Sequence, residues 1–140
     1  MAETIHVDIV SAEGEIFSGP ARMVFAPASE GEVGIAPRHA PLLTLLKAGE
    51  VRVQTPDGEE HFFFVGGGAL EVQPRRVTVL ADTALRAKDI DEAAALAAKQ
   101  RAEEALRGRA DKIEQAEALA ELARAAAQLK VLERLRKLRV

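Results

Sequence analysis

The chain has 140 residues, 48% of them apolar and 29% charged, with a formal net charge of −3 and no cysteine. This suits one or two small domains with a real core, excludes disulfide and thiolate chemistry, and fits a reducing compartment. The first residues, "MAETIHVDIV", lack the basic start and long apolar run of a signal peptide, and no apolar run nears the ~18 residues of a membrane span. Any membrane association is therefore expected to pass through a partner.

From Thr4 to about Ala87 the pattern has period two, broken by turns. In "IHVDIV", Ile5, Val7 and Ile9 share one face, with His6 and Asp8 on the other. The stretch "EGEVGIAPRHAPLL", residues 30–43, is too broken for a helix and too apolar at its end for a linker, so it reads as a loop. Gly31 and Gly34 let it turn, and Pro37 and Pro41 stiffen it. "EVRVQT" then alternates Val51 and Val53 with Arg52 and Gln54, and Pro56-Asp57-Gly58 is strong turn chemistry. In "HFFFV", Phe62 and Phe64 point one way, Phe63 and Val65 the other. Such a strand is covered on both faces: one cover is core, and the other is more core, a second element or a partner. "VGGGALE" predicts a bend or a close backbone approach rather than a phosphate loop. "LEVQ" and "RVTVLA" are further strands. Turn signals every ~8–12 residues predict a β-sandwich or barrel.

After Ala87 the composition turns to alanine, leucine, glutamate and basic residues, all good helix formers. Asp89 with Glu92, and Asp111 with Glu114, have capping-box spacing, and Gly108 between them predicts a left-handed helix end. Two helices and a short turn predict an antiparallel hairpin. Ile90, Ala94, Ala97, Ala98 and Ala105 form the expected contact stripe of the first helix, and Leu119, Leu122, Ala126 and Leu129 that of the second. Alanine faces bury little area each, so such a hairpin is weakly held and could open. Beyond Leu129, leucines at 132, 135 and 138 drift around the helix.

Charge is unevenly spread. From Arg124 to Val140 there are six basic residues and one acid, +5, which leaves −8 on residues 1–123. The tail suits an acidic surface, and with no Trp or Tyr the chain is a poor stacking reader of nucleic acid. A P-loop and a G-x-S-x-G elbow are absent, and His6, His39 and His61 lack metal-ligand spacing, so catalysis and a metal site are not expected.

Four segments together resemble the epsilon-subunit family of bacterial F-type ATP synthases: "SAEGEIFSG" (11–19), "SEGEVGIAPRHAPLLTLLKAGEVRV" (29–53), "GGGALEVQPRRVTVLADTA" (66–84) and "AELARAAAQLKVL" (120–132). The resemblance implies an α+β chain in two parts. An N-terminal antiparallel β-sandwich (1–87) binds the gamma subunit and the c ring, and a C-terminal antiparallel α-helical hairpin (88–140) is regulatory. It implies a non-catalytic rotor subunit of the central stalk, peripheral at the cytoplasmic face of the bacterial inner membrane. Its hairpin extends along gamma into the alpha/beta head and restrains ATP hydrolysis. Glu30, Glu32, Arg38 and His39 are then candidates for the c-ring contact. Lys130, Arg134, Arg136, Lys137 and Arg139 are candidates for an inhibitory tail that meets an acidic segment of the beta subunits. Some relatives bind ATP through an "[IL]-D-x-x-R-A" signature. Here Ile90, Asp91 and Ala95 match, but Ala94 replaces the arginine, and Leu85 stands where those relatives carry an acid. Losing the guanidinium removes the natural phosphate partner, so no cofactor is expected and ATP binding should be weak or absent.

Overall fold

The computed structural model describes residues 3–108 and 111–138. Among these, the alternating half becomes ten strands: β1 (Ile5–Ser11), β2 (Gly14–Ala21), β3 (Met23–Ala28), β4 (Gly31–Ile35), β5 (Leu42–Leu46), β6 (Gly49–Gln54), β7 (Glu60–Val65), β8 (Gly68–Gln73), β9 (Arg76–Ala81) and β10 (Ala84–Arg86). One 3-10 turn, Ala87–Asp89, leads to helices α1 (Glu92–Arg107) and α2 (Lys112–Leu138).

The strands hydrogen-bond in the order β10-β7-β6-β3-β5-β8-β9-β1-β2, with β4 on the side of β3. The ladder folds over at its weakest join, where β3 meets β5 only at Ala28 and Leu46. Two leaves thereby close over one core. Ile5, Val7 and Ile9 of β1, Val77 and Val79 of β9, and Leu70 and Val72 of β8 meet Val24, Val51, Val53, Phe63 and Val65 of the other leaf. The free edges approach each other: Arg86 donates to the Ile16 carbonyl at 2.7 Å, and the Phe17 ring meets Phe63 edge-on at 5.6 Å. The sandwich is antiparallel apart from one pair, β1 with β9, which runs parallel.

The stretch at 30–43 is less loop than its composition predicts. Its first half is β4, paired with β3 from Val24–Ile35 to Ala28–Gly31. Gly34 lies within that strand, where an added Cβ would come within 3.2 Å of the Phe25 ring, so close approach rather than turning explains it. The triple glycine behaves as read: Gly68 has φ +134°, and a Cβ there would stand 2.0 Å from the Leu80 carbonyl oxygen.

The hairpin forms, with three differences from the sequence reading. Asp91, not Asp89, caps α1, its carboxylate accepting from Ala94 N at 3.1 Å. The 3-10 turn takes up Asp89, which delays the helix start. Asp111 caps α2 as expected, accepting from Glu114 N at 2.8 Å. Gly108 ends α1 with φ −84° and ψ 177°, extended rather than left-handed. The contact stripes are also rotated. On α1 the buried residues are Ala95 and Ala102, while Ala94, Ala97 and Ala105 are exposed. On α2 they are Ala118, Ala125, Val131 and Leu132, while Leu119 and Ala126 are exposed. The alanine-rich sequence offers several nearly equal faces, and the larger groups at 131 and 132 choose among them by packing on the sheet.

Replacing Gly68 with alanine should destabilise the sandwich by roughly 2–4 kcal/mol, since the new Cβ needs both a left-handed φ and backbone movement. Urea unfolding at fixed pH measures it.

Candidate functional site

The second cover of β7 is the hairpin. Phe62 and Phe64 point away from the sandwich core and pack with Ala87, Ile90, Val131 and Leu132, flanked by Leu85, Ala127 and Leu135. Period two in the strand and the i, i+4 spacing of Ala127, Val131 and Leu135 bring these side chains into one seam.

Beside this apolar seam runs a chain of charges. The polar face of β6 carries Glu50 and Arg52, directly across from Phe64 and Phe62. Arg52 donates from Nη2 to Glu32 Oε1 at 3.1 Å, and its guanidinium lies 4.3 Å over the Phe25 ring. Arg52 Nε is 3.5 Å from Glu50 Oε1, and Arg134 Nε of α2 reaches the same oxygen at 3.6 Å. Glu50 is only 7% exposed in its side chain, and its second oxygen has no partner. Burial pushes its carboxyl above the ordinary range despite the opposing pull of Arg134, Arg52 and Lys130. Sequence reasoning passed over Glu50. The signal was the aromatic pair across the ladder, which shows that this polar face is covered.

Among the described residues, three of the proposed tail cations, Arg134, Arg136 and Lys137, have ion-pair partners when the hairpin is folded. Arg134 faces Glu50, and Lys130 lines the same cavity of about 330 Å³ with Glu32 and Lys47. Arg136 pairs with Glu92 at the start of α1, and Lys137 with Glu133 of its own helix. Arg139 lies outside the described residues.

The four loop candidates do not form one cluster. Glu30 is exposed in the β3–β4 turn, and Glu32 follows near the start of β4. Arg38 and His39 lie beyond the far end of that strand. Arg38 adopts φ 66°, donates its N–H to the Pro74 carbonyl at 2.8 Å and pairs with Glu3 at 2.8 Å. His39 Nδ1 donates to the neighbouring Ala40 carbonyl at 2.6 Å. Around the nucleotide signature, Ile90 is buried in the seam, the Asp91 carboxylate caps α1, Ala94 is exposed, and Leu85 packs against the seam. No group of three His, Cys, Asp or Glu able to hold a metal occurs among the described residues.

The sequence also understated an exposed apolar face. On β5, Leu42 and Leu46 turn inward, while Leu43 and Leu45 stand 74% and 67% exposed. Register places Leu45, Ala69, Leu80 and Val10 in one outward row across β5, β8, β9 and β1. Such a row is too apolar to be ordinary solvent-facing sheet.

A β-sandwich with an exposed apolar row and a two-helix hairpin packed on its outer face has the make-up of an assembly module. Comparison with known proteins says which. Residues 4–87 match the family model "ATP synthase, Delta/Epsilon chain, beta-sandwich domain", and residues 88–133 match "ATP synthase, Delta/Epsilon chain, long alpha-helix domain". The ATP synthase epsilon chain of Nitrosococcus oceani is 70% identical over 137 residues, covering 98% of each chain. That of Halorhodospira halophila is 64% identical, covering 96% of each. A chain of the Euglena gracilis mitochondrial ATP synthase (OSCP/F1/c-ring) shares the fold with a TM-score of 0.83 at 18% identity, covering 92% of this chain and 81% of its own. The chain belongs to the ATP synthase epsilon-chain family.

Arg52→Ala should destabilise the protein by about 2 kcal/mol, because it removes the hydrogen bond to Glu32 and the guanidinium stacked on Phe25. Arg134→Ala should cost no more than about 1 kcal/mol, since that side chain is 40% exposed. Parallel urea titrations of the two variants test the ranking.

Proposed function

We propose that the chain is a non-catalytic rotor subunit of the central stalk of an F-type ATP synthase. The observation that carries this reading is the outward row of Leu45, Ala69, Leu80 and Val10 with Leu43 beside it. A sheet face of this kind needs a permanent apolar partner, and the family supplies one in the gamma subunit. The acidic turn at Glu30 and Glu32 meets the polar loops of the c ring, where basic and amide groups can pair with carboxylates. Arg38 and His39 lie beyond the other end of β4 and would meet the ring only as a separate patch. No helix among the described residues is long and apolar enough to cross a membrane. The subunit reaches the cytoplasmic face of the inner membrane through its partners.

The hairpin is the regulatory part. Its hold on the sandwich is one small apolar seam beside a single long contact, Arg134 to Glu50, while α1 and α2 meet mainly through alanines. On release, Arg134 leaves Glu50 and Arg136 leaves Glu92, and together with Lys130 and Lys137 they can meet acidic groups in the alpha/beta head. Several such pairs, each ~0.2–1 kcal/mol, suffice to bias a two-state element.

Truncation after Lys88 should leave a sandwich that still joins gamma, while ATP hydrolysis by the assembled complex rises. Leu43→Glu with Leu45→Glu should abolish copurification with gamma while leaving the thermal midpoint of the isolated chain nearly unchanged. Unaltered hydrolysis after truncation would remove the hairpin's inhibitory role, and retained copurification would move the gamma contact elsewhere.

A further inference from the structure

We propose that Glu50 makes the seam between β6 and α2 a proton-operated catch, which the ionised carboxylate loosens and the protonated acid closes. The geometry sets the direction. Docking α2 leaves the Glu50 side chain 7% exposed, with Oε2 unpartnered and Oε1 shared between Arg52 Nε at 3.5 Å and Arg134 Nε at 3.6 Å. Both distances exceed those of close charge-assisted hydrogen bonds, so the attraction returned is modest. Removing a carboxylate from water costs several kcal/mol before any partner is counted. A neutral acid avoids that cost.

Every charged group around Glu50 bears on this balance. Glu32 of β4 opposes its ionisation, while Arg52 on β6 and Lys130 and Arg134 on α2 favour it, and Lys47 of the β5–β6 turn lines the same cavity. From β7 the facing residue is the uncharged Phe64, and from β3 the neighbour is Pro27. The cations on α2 keep contact with water, so their mutual repulsion is screened when Glu50 is neutral, whereas the carboxylate carries its desolvation in full. Undocked, Glu50 regains water on that face. Docking therefore takes up a proton. The docked state gains as pH falls through the raised carboxyl and loses as pH climbs above it.

The chain lacks cysteine, so Glu59→Cys and Leu138→Cys allow clean labelling of two exposed positions near the sheet and the α2 end. Energy transfer between the labels is followed through urea titrations of the full isolated chain from about pH 8 to about pH 5, with and without Glu50→Gln. The expected result is that Glu50→Gln docks more tightly than the native residue at pH 8, by roughly three- to tenfold in the docked-to-undocked ratio. The two should converge as pH falls. The same convergence is expected in a His61→Gln background, which removes the histidine lining the cavity beside Leu135. Weaker docking of Glu50→Gln at pH 8 would show the carboxylate to be a net tether and overturn the proposal. A difference independent of pH, or one abolished with His61, would overturn it equally. Because the isolated chain is measured, the result stands apart from whether the hairpin inhibits the assembled enzyme.

Discussion

The outer face of β7 and β6 must be covered, and the way it is covered sets the character of the molecule. Phe62 and Phe64 on that face bring about 1.5–3 kcal/mol each when buried, enough to draw α2 down. Next to them the same face carries Glu50 and Arg52, whose burial costs rather than stabilises unless well paired. Attraction and penalty lie one strand apart. A hairpin seated there rests on a small seam beside a penalised pair, so its departure would leave the large core intact.

The sandwich makes that looseness tolerable. Its own core, from Ile5 and Val7 to Val77 and Val79, is complete without either helix. The edge-to-edge tie of Arg86 to the Ile16 carbonyl lies just before the helical segment. Two surfaces of this platform then face outward with different chemistry. The row through Leu45 and Leu80 is apolar and suits a lasting partner, whereas the turn at Glu30 and Glu32 is acidic and solvated and suits a polar contact. Glu32 also holds Arg52, so the acidic turn and the hairpin seam share one ion-pair chain through Arg52 and Glu50 to Arg134.

Most of the strands were legible in the sequence because period two survives wherever one face is core. "IHVDIV", "EVRVQT" and "RVTVLA" all lie within or closely match observed strands. β4 was hidden because Gly31 and Gly34 imitate a loop, although the second is there to admit the Phe25 ring. The helix stripes were misplaced by about one residue, since alanine marks no face strongly and tertiary contacts decide. The seam was half legible: the phenylalanines announced a second cover, but only the register across β6 and β7 shows that Glu50 lies under it. The leucine row could not be seen at all before the strand order was known, because Leu45, Leu80 and Val10 are far apart in the chain.

The proposed regulation depends on reversible docking of α2 against β6 and β7. The direct test is single-molecule energy transfer between a label on the β6–β7 turn and one near the end of α2, in the assembled synthase under hydrolysis and synthesis conditions. Two separations should be seen, and the fraction with the longer one should rise where hydrolysis is restrained. A single short separation in every nucleotide state would contradict the account.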